Sequence, residues 1–318
     1  MKSLDVIALG ELLIDFTENG FSANRNPLLE ANPGGAPCNV LAMLQNLGKK
    51  TAFIGKVGKD AFGDYLKDTV CQVGIDVTNL IQDATVPTTL AFVHTAADGD
   101  RSFSFYREPG ADMMLSESEI DYSQIADAKI FHFGTLSMTH DGVRAATIKA
   151  VDYAKSHGLL ISFDPNYRPP LWKKEEAAKE MIRYGCSVCD ILKISDDEIT
   201  FITGKDTVEE AIPLFLEMHR PKLMCVTCGK HGSIAIYKDM QVACDAVLRP
   251  DTIETTGAGD TFMGCMLNYV LEHGIENLTE DDLRRMQQFA AMAASIITTR
   301  KGALKVMPTK NEIRADEL

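Results

Sequence analysis

The sequence contains a single tryptophan and no uninterrupted run of about 18 apolar residues, so no membrane-spanning helix is expected. Asp5 and Glu11 break the apolar stretch at the start, which does not read as a signal peptide. Positive charge is in short supply: 32 Lys and Arg stand against 45 Asp and Glu, a formal net charge of −13. That balance argues against nucleic acid or an anionic membrane as partner. It also means that any phosphate site has to be locally electropositive. Cysteine is present but lacks the setting of a metal site. The pairs Cys186/Cys189 and Cys225/Cys228 lie in apolar runs with no glycine between the two thiols. Free, mostly buried thiols in a cytoplasmic chain are the expectation.

With 318 residues, 45% of them hydrophobic, the chain can bury a large core. It is organised around Glu254-Thr255-Thr256-Gly257-Ala258-Gly259-Asp260-Thr261-Phe262. Phe262, Cys265, Met266, Tyr269 and Val270 follow at helical spacing, and Gly274 ends the run. A glycine loop thus opens into a helix N-terminus, where backbone N–H groups lack partners and the dipole favours an anion. Gly257 and Gly259 carry no side chain to block close approach. A carboxylate at Asp260 is odd beside an anion site, unless it takes the proton from a group attacking that anion. No Lys-Ser or Lys-Thr follows the last glycine, so the loop is not a Walker A motif. Taken alone, it could equally be a turn and nothing more.

The remaining chain alternates strands and helices. Residues 4–10 read as a buried strand, continued through Asp15, and residues 17–33 as loop or edge structure. Gly34 and Gly35 precede a helix carrying Asn39 in its first turn; the pair permits close backbone approach, and Asn39 can both donate to and accept from hydroxyls. The alternative for Asn39 is simple capping. Strand 51–54 and helix 60–73 follow. Two β-rich runs, 88–95 and 101–106, flank Asp98-Gly99 and predict a hairpin, read as a flap. Alternation resumes with strand 129–133, helix 139–157, strand 159–163, helix 175–184, strand 190–194, helix 207–218, strands 222–227 and 233–237, and a last helix over 281–299. This predicts an α/β fold: a mostly parallel central sheet, helices on both faces, and a small β lid. Ligands of such sheets bind beyond the carboxyl ends of strands. Asp15, Asp164–Arg168, Ser195–Glu198, Thr227–Gly232 and Asp260 all fall just after predicted strands. His132 reads as a satisfied strand histidine, and Trp172 as packing for the 164–168 loop.

With these residues in hand, the chain resembles the ribokinase-like carbohydrate kinase family over its whole length. Two motifs carry the likeness: Gly34-Gly35-x-x-x-Asn39 and Thr256-Gly257-Ala258-Gly259-Asp260. Ser195-x-x-Glu198 and Thr227-x-Gly229-x-x-Gly232 stand where the family's nucleotide residues lie. Within the family it resembles the fructokinase branch, through Phe-Tyr-Arg-Glu-Pro-Gly-Ala-Asp-Met-Met-Leu at 105–115, Asp-Pro-Asn-Tyr-Arg-Pro-Pro-Leu-Trp at 164–172 and Lys-Ile-Ser-Asp-Asp-Glu at 193–198. The resemblance implies one kinase domain over 1–318, with a discontinuous lid at about 12–32 and 86–112. It implies Asp260 as base and the N–H groups of Gly257, Ala258 and Gly259 as anion hole. Asp15, Gly34, Gly35, Asn39 and Arg168 would hold the sugar, with Arg107 reaching in from the flap. Lys193, Ser195, Thr227, Gly229 and Gly232 would line ATP, and Glu198 would order Mg²⁺. A homodimer is the expected assembly, paired through exposed lid strands.

Three positions depart from the family. Ala36 stands where ribokinases carry Lys, which counts against ribose. Ser195 replaces a frequent Asn, and Glu254 replaces the usual Asp of a monovalent-cation site, so activation by K⁺ is an open question. The leading expectation is ATP-dependent phosphorylation of fructose. A kinase for an acidic sugar such as 2-keto-3-deoxygluconate would instead use Arg107 and Arg168 as a carboxylate clamp. A catalytically silent relative is disfavoured, because Asp260, Gly257 and Gly259 are all present.

Overall fold

The computed structural model describes residues 2–95 and 101–313. The Asp98-Gly99 turn of the expected hairpin lies outside the described residues.

The chain starts with β1 (Leu4–Leu9), leaves for β2 (Leu13–Phe21) and β3 (Pro27–Gly34), and returns through α1 (Ala36–Asn46), β4 (Thr51–Gly58), α2 (Ala61–Val73) and β5 (Leu80–Asp83). It departs again for β6 (Leu90–Thr95) and β7 (Arg101–Tyr106). Then come α3 (Tyr122–Ala126), β8 (Ala128–Phe133), α4 (Asp141–Ser156), β9 (Leu160–Phe163), α5 (Glu175–Val188), β10 (Ile191–Ser195), α6 (Asp196–Thr203) and α7 (Val208–Met218). The order closes with β11 (Leu223–Thr227), β12 (Ser233–Tyr237), β13 (Met240–Cys244), α8 (Ala258–His273) and α9 (Glu280–Ile297).

Two sheets result. The larger has nine strands in the order β13-β12-β11-β10-β9-β8-β1-β4-β5. It is parallel except where β12 pairs antiparallel with β11 and β13. The smaller has four strands in the order β3-β2-β6-β7. Parallel strands covered on both faces read as continuous apolar runs, and every residue of β4 is buried. Alternate side chains divide the core in two. Val6, Ala8, Ile130, Ile191 and Leu223 face one way and pack with Val40, Leu44, Met266 and Ala290 from α1, α8 and α9. Ile7, Leu9, Phe131, Phe133, Phe163 and Leu192 face the other way and pack with Val143, Ala150, Ile182 and Phe215 from α4, α5 and α7.

Helix boundaries follow local chemistry. Asp60 caps α2 by accepting from Gly63 N at 2.8 Å, and Gly74 ends the helix in the left-handed region at φ 98°. α5 runs to Val188 rather than stopping at residue 184, because Ile182, Gly185 and Cys186 keep its buried face going. Residues 17–33, expected as loop or edge, form most of the antiparallel pair β2–β3. Asp15 is consequently not at the end of a main-sheet strand. It sits inside β2, opposite Asn32 of β3 and Ala91 of β6. The main-sheet strand ends at Leu9, and the chain crosses to the second sheet after Gly10-Glu11-Leu12.

The chain order reverses at β1, which pairs with β8 on one side and β4 on the other. The carboxyl ends of strands at such a reversal open a crevice. The small sheet springs from β1 at that end.

Candidate active site

α8 begins where a backbone reversal allows it to. Gly257 is its N-cap, at φ 79° in the left-handed region, and no side chain caps the helix. A Cβ there would lie 2.8 Å from the Ala303 Cβ, so glycine is needed for both conformation and space. The first turn therefore presents N–H groups without side-chain partners beside Asp260. A Cβ at Gly259 would lie 3.1 Å from Lys193 Nζ, which places the ammonium against the same turn. Lys193 is 7% exposed and donates to Asp164 Oδ2 at 2.7 Å. Positive charge beside this turn comes from Lys193, paired to Asp164, from Arg168 and from the α8 N-terminus.

Asn39 joins α1 to α8: its Nδ2 donates to Asp260 Oδ2 at 2.7 Å. Asn39 is 4% exposed, and its Oδ1 has no partner, so an acceptor points into the site ready for a hydroxyl donor. Burial raises the Asp260 carboxyl to about 6, the nearby Asp164 raising it further while the Asn39 hydrogen bond, Lys193 and Arg168 oppose. The group stays mostly ionised at neutral pH, though less strongly than a helix N-terminus alone would hold it. Asp15 is raised to about 7, by burial first, with Arg168 opposing and Glu254 and Asp260 adding to the rise. Asp15, Asp260 and Arg168 therefore share one electrostatic environment, although they come from β2, α8 and the loop after β9. Gly34 lies so near Asp15 that a Cβ would meet its Oδ2 at 2.6 Å. A narrow cleft lined by Asp15, Asn32, Gly34, Val93, Glu254 and Thr256 among others lies between the small sheet and the main body.

The nucleotide residues expected from the sequence stand one strand further along. Ser195 pairs with Thr227 across β10 and β11. Ser195 also caps α6 and forms a capping box with Glu198. Glu198 Oε2 accepts from Ser195 N at 2.9 Å and Oε1 from Tyr167 N at 2.7 Å. Glu198 thereby ties the 164–168 loop to α6, and Tyr167 stacks on Phe201 with centroids 4.5 Å apart. Gly229 and Gly232 shape the loop between β11 and β12, with Gly232 N donating to Gly229 O at 3.2 Å.

Arg107 is placed differently from the rest. It is 4% exposed; its Nε donates to Asp112 Oδ2 at 2.8 Å, Nη1 to Thr139 Oγ1 at 2.8 Å and Nη2 to the Leu136 carbonyl at 3.0 Å. That arrangement anchors the foot of β7 to the main body. His132 is buried with Nδ1 2.8 Å from Ser162 Oγ, and burial together with Lys193 lowers its pKa to about 3, so it stays neutral as a satisfied strand histidine does. All eight cysteines are free thiols. Sequence reasoning did not find the ion pair of Lys193 with Asp164, whose Oδ1 is left without a partner, or the role of Glu11.

A family model, the pfkB family carbohydrate kinase, matches residues 3–310. The chain is a pfkB family carbohydrate kinase. Probable fructokinase-2 of Arabidopsis thaliana is 38% identical over 309 residues, covering 96% of this chain and 94% of the relative. Among solved structures, the Xylella fastidiosa fructokinase with bound ATP superposes with a TM-score of 0.89 at 29% identity, over 98% of this chain and 97% of that one. A double mutant of the Vibrio cholerae O395 fructokinase, in fructose, ADP and potassium ion bound form, gives a TM-score of 0.85 at 25% identity over 99% of both chains. As a carbohydrate kinase the chain is an ATP-dependent enzyme acting on a sugar.

Proposed function

We propose that this carbohydrate kinase transfers the γ-phosphoryl group of ATP to a hydroxyl of D-fructose. The reading is supported by relatives named as fructokinases at 38% identity over nearly the whole chain. The observation that carries the chemistry is the Asn39–Asp260 hydrogen bond at the mouth of α8. In our assignment the sugar hydroxyl attacks the γ-phosphorus while Asp260 accepts its proton, and the bond to the bridging β–γ oxygen breaks, leaving ADP. The N–H groups of Gly257, Ala258 and Gly259 receive the equatorial oxygens. The transition state is loose, so positioning and electrostatics do most of the work. Asn39 Oδ1, Asp15 and the Gly34–Gly35 backbone would hold the sugar hydroxyls, with Arg168 beside them. Lys193, Ser195, Thr227, Gly229 and Gly232 would line the triphosphate and base.

Mg²⁺ typically keeps several waters and uses one or two carboxylates plus substrate phosphates. Glu198 suits that demand: both of its oxygens are fixed by backbone amides yet each retains a lone pair, and the unpartnered Asp164 Oδ1 is buried nearby in the same charge cluster around Lys193. When bound, the ion would neutralise charge on the β- and γ-phosphates. For K⁺, the candidate carboxylate Glu254 accepts from Gly302 N at 2.9 Å through Oε1, which ties it to the 302 turn.

The acidic-sugar alternative draws less support, because it needs two guanidinium groups and Arg107 serves Asp112, Thr139 and Leu136. We further assign the small sheet as a lid over the sugar. Its apolar residues Phe21, at 73% exposure, Leu28, Leu29 and Tyr106 suit burial against a second copy of the chain in a homodimer. Free thiols throughout agree with a cytoplasmic setting. The test is a coupled ADP-release screen over fructose, ribose, 2-keto-3-deoxygluconate, tagatose and nucleosides. Fructose should give the highest kcat/KM; a preference for the keto-acid would overturn the substrate assignment.

A further inference from the structure

Glu11 is a carboxylate that none of the chemistry above uses. It lies in the three-residue crossing between β1 and β2, is 3% exposed, and accepts from Ala36 N at 2.7 Å through Oε1. Ala36 is the first residue of α1, and the N-cap Gly35 offers no side chain to hold the helix start. Glu11 therefore caps α1 from outside the helix. The backbone joins in: Gly35 adopts φ 145°, and a Cβ there would meet the Glu11 carbonyl oxygen at 2.3 Å. The first turn of α1 is thus gripped by both the side chain and the main chain of one residue. Asn39 lies in that turn, with its N–H donating to Gly35 O at 2.9 Å. Its side chain in turn holds Asp260.

We propose that Glu11 is a positioning residue for phosphoryl transfer: by fixing the start of α1 it sets Asn39, and through Asn39 the orientation of Asp260. The chain of contacts runs from Glu11 to Ala36, along one turn to Asn39, and across to the α8 mouth. A negative charge is the right group for a helix start, since the dipole favours it there. Burial raises the Glu11 carboxyl to about 7, with the Ala36 N–H and Arg107 opposing and Asp112 adding to the rise.

The inference rests on Asp260 acting as base, so wild-type turnover on the sugar panel is measured first; its failure would indict the functional reading and not Glu11. Glu11→Leu keeps the volume but removes the acceptor, and Glu11→Gln keeps an acceptor for Ala36 N. Because small displacements of a reacting geometry lower rates by about 100-fold, Glu11→Leu should lower kcat/KM for the sugar by about that factor. Its KM for ATP should stay within about twofold, since Lys193 and the 227–232 loop are untouched. Glu11→Gln should recover most of the loss. In an Asn39→Ala background, Glu11→Leu should add less than about threefold, because residues acting through one another are not additive. Equal losses toward sugar and ATP, a Gln variant as slow as the Leu variant, or full additivity with Asn39→Ala would each overturn the proposal. If Glu11→Leu does not fold, Glu11→Met, which also lacks the carboxylate acceptor, takes its place under the same criteria.

Discussion

Asn39→Ala should move the pH dependence of the reaction as well as its rate. Asp260 must be ionised to accept a proton, so activity is present above its pKa and lost as pH falls through it. In the free enzyme that value is about 6, raised by burial, and the Asn39 Nδ2 hydrogen bond at 2.7 Å helps hold it down. Hydrogen bonds to charged partners contribute about 1.5–3 kcal/mol. Asp260 is half-buried and partly solvated, so the low end of that range applies, which corresponds to a movement of about one pH unit. The acid limb of kcat/KM for fructose should shift from near pH 6 toward pH 7. This profile reports the free enzyme, the state described here. The assay is coupled ADP release from pH 5 to 8.5 at saturating ATP and Mg²⁺, with wild type and variant compared so that titration of the nucleotide cancels. At pH 8, with the base ionised in both proteins, the loss of a sugar contact and of the hold on Asp260 should remain, seen as a raised KM and a lowered kcat. An unmoved limb, or one moved to lower pH, would refute the claim that Asn39 stabilises the ionised base.

Gly257→Ala should lower both stability and turnover: a left-handed φ disfavours alanine by about 1–2 kcal/mol, and displacing an anion-hole donor lowers kcat by about 10²–10³. Thermal unfolding and kcat together check it. Lys193→Met strands the buried Asp164 carboxylate, a change that destabilises by about 3–5 kcal/mol, and should also raise KM for ATP more than KM for sugar. Phe21→Lys should shift the proposed lid-paired dimer toward monomer in light scattering, leaving the per-site kcat on fructose within about twofold.

The main sheet was legible because parallel strands covered on both faces must be apolar where they are buried, and Val6–Leu9 and Ala52–Ile54 are. The small sheet was half legible. β6 and β7 showed as paired runs, whereas residues 17–33 hid most of two strands because their burial falls away toward the exposed end of the pair, and Glu18, Asn19 and Glu30 read as loop. Asp15 was named as a candidate site residue yet placed at the end of the main-sheet strand, because residues 4–16 read as one unbroken strand. The glycine loop before α8 could be read because glycine is required there by backbone and space together. Ser195 and Glu198 carried two messages in one pattern: the capping box that starts α6 was overlooked beside the nucleotide reading. The pairing of Lys193 with Asp164 joins residues 29 apart and depends on strand order, which local sequence does not encode. Glu11 had a signal, a carboxylate directly after a buried strand and glycine, but its partner 25 positions on appears only when α1 is placed.

The most direct measurement compares fructose-dependent ADP release by the wild type and Asp260→Asn, with ATP binding followed by calorimetry in both. The account predicts a fall in kcat of about 10²–10⁴ with ATP affinity retained. Turnover like that of the wild type in the Asn variant would contradict it.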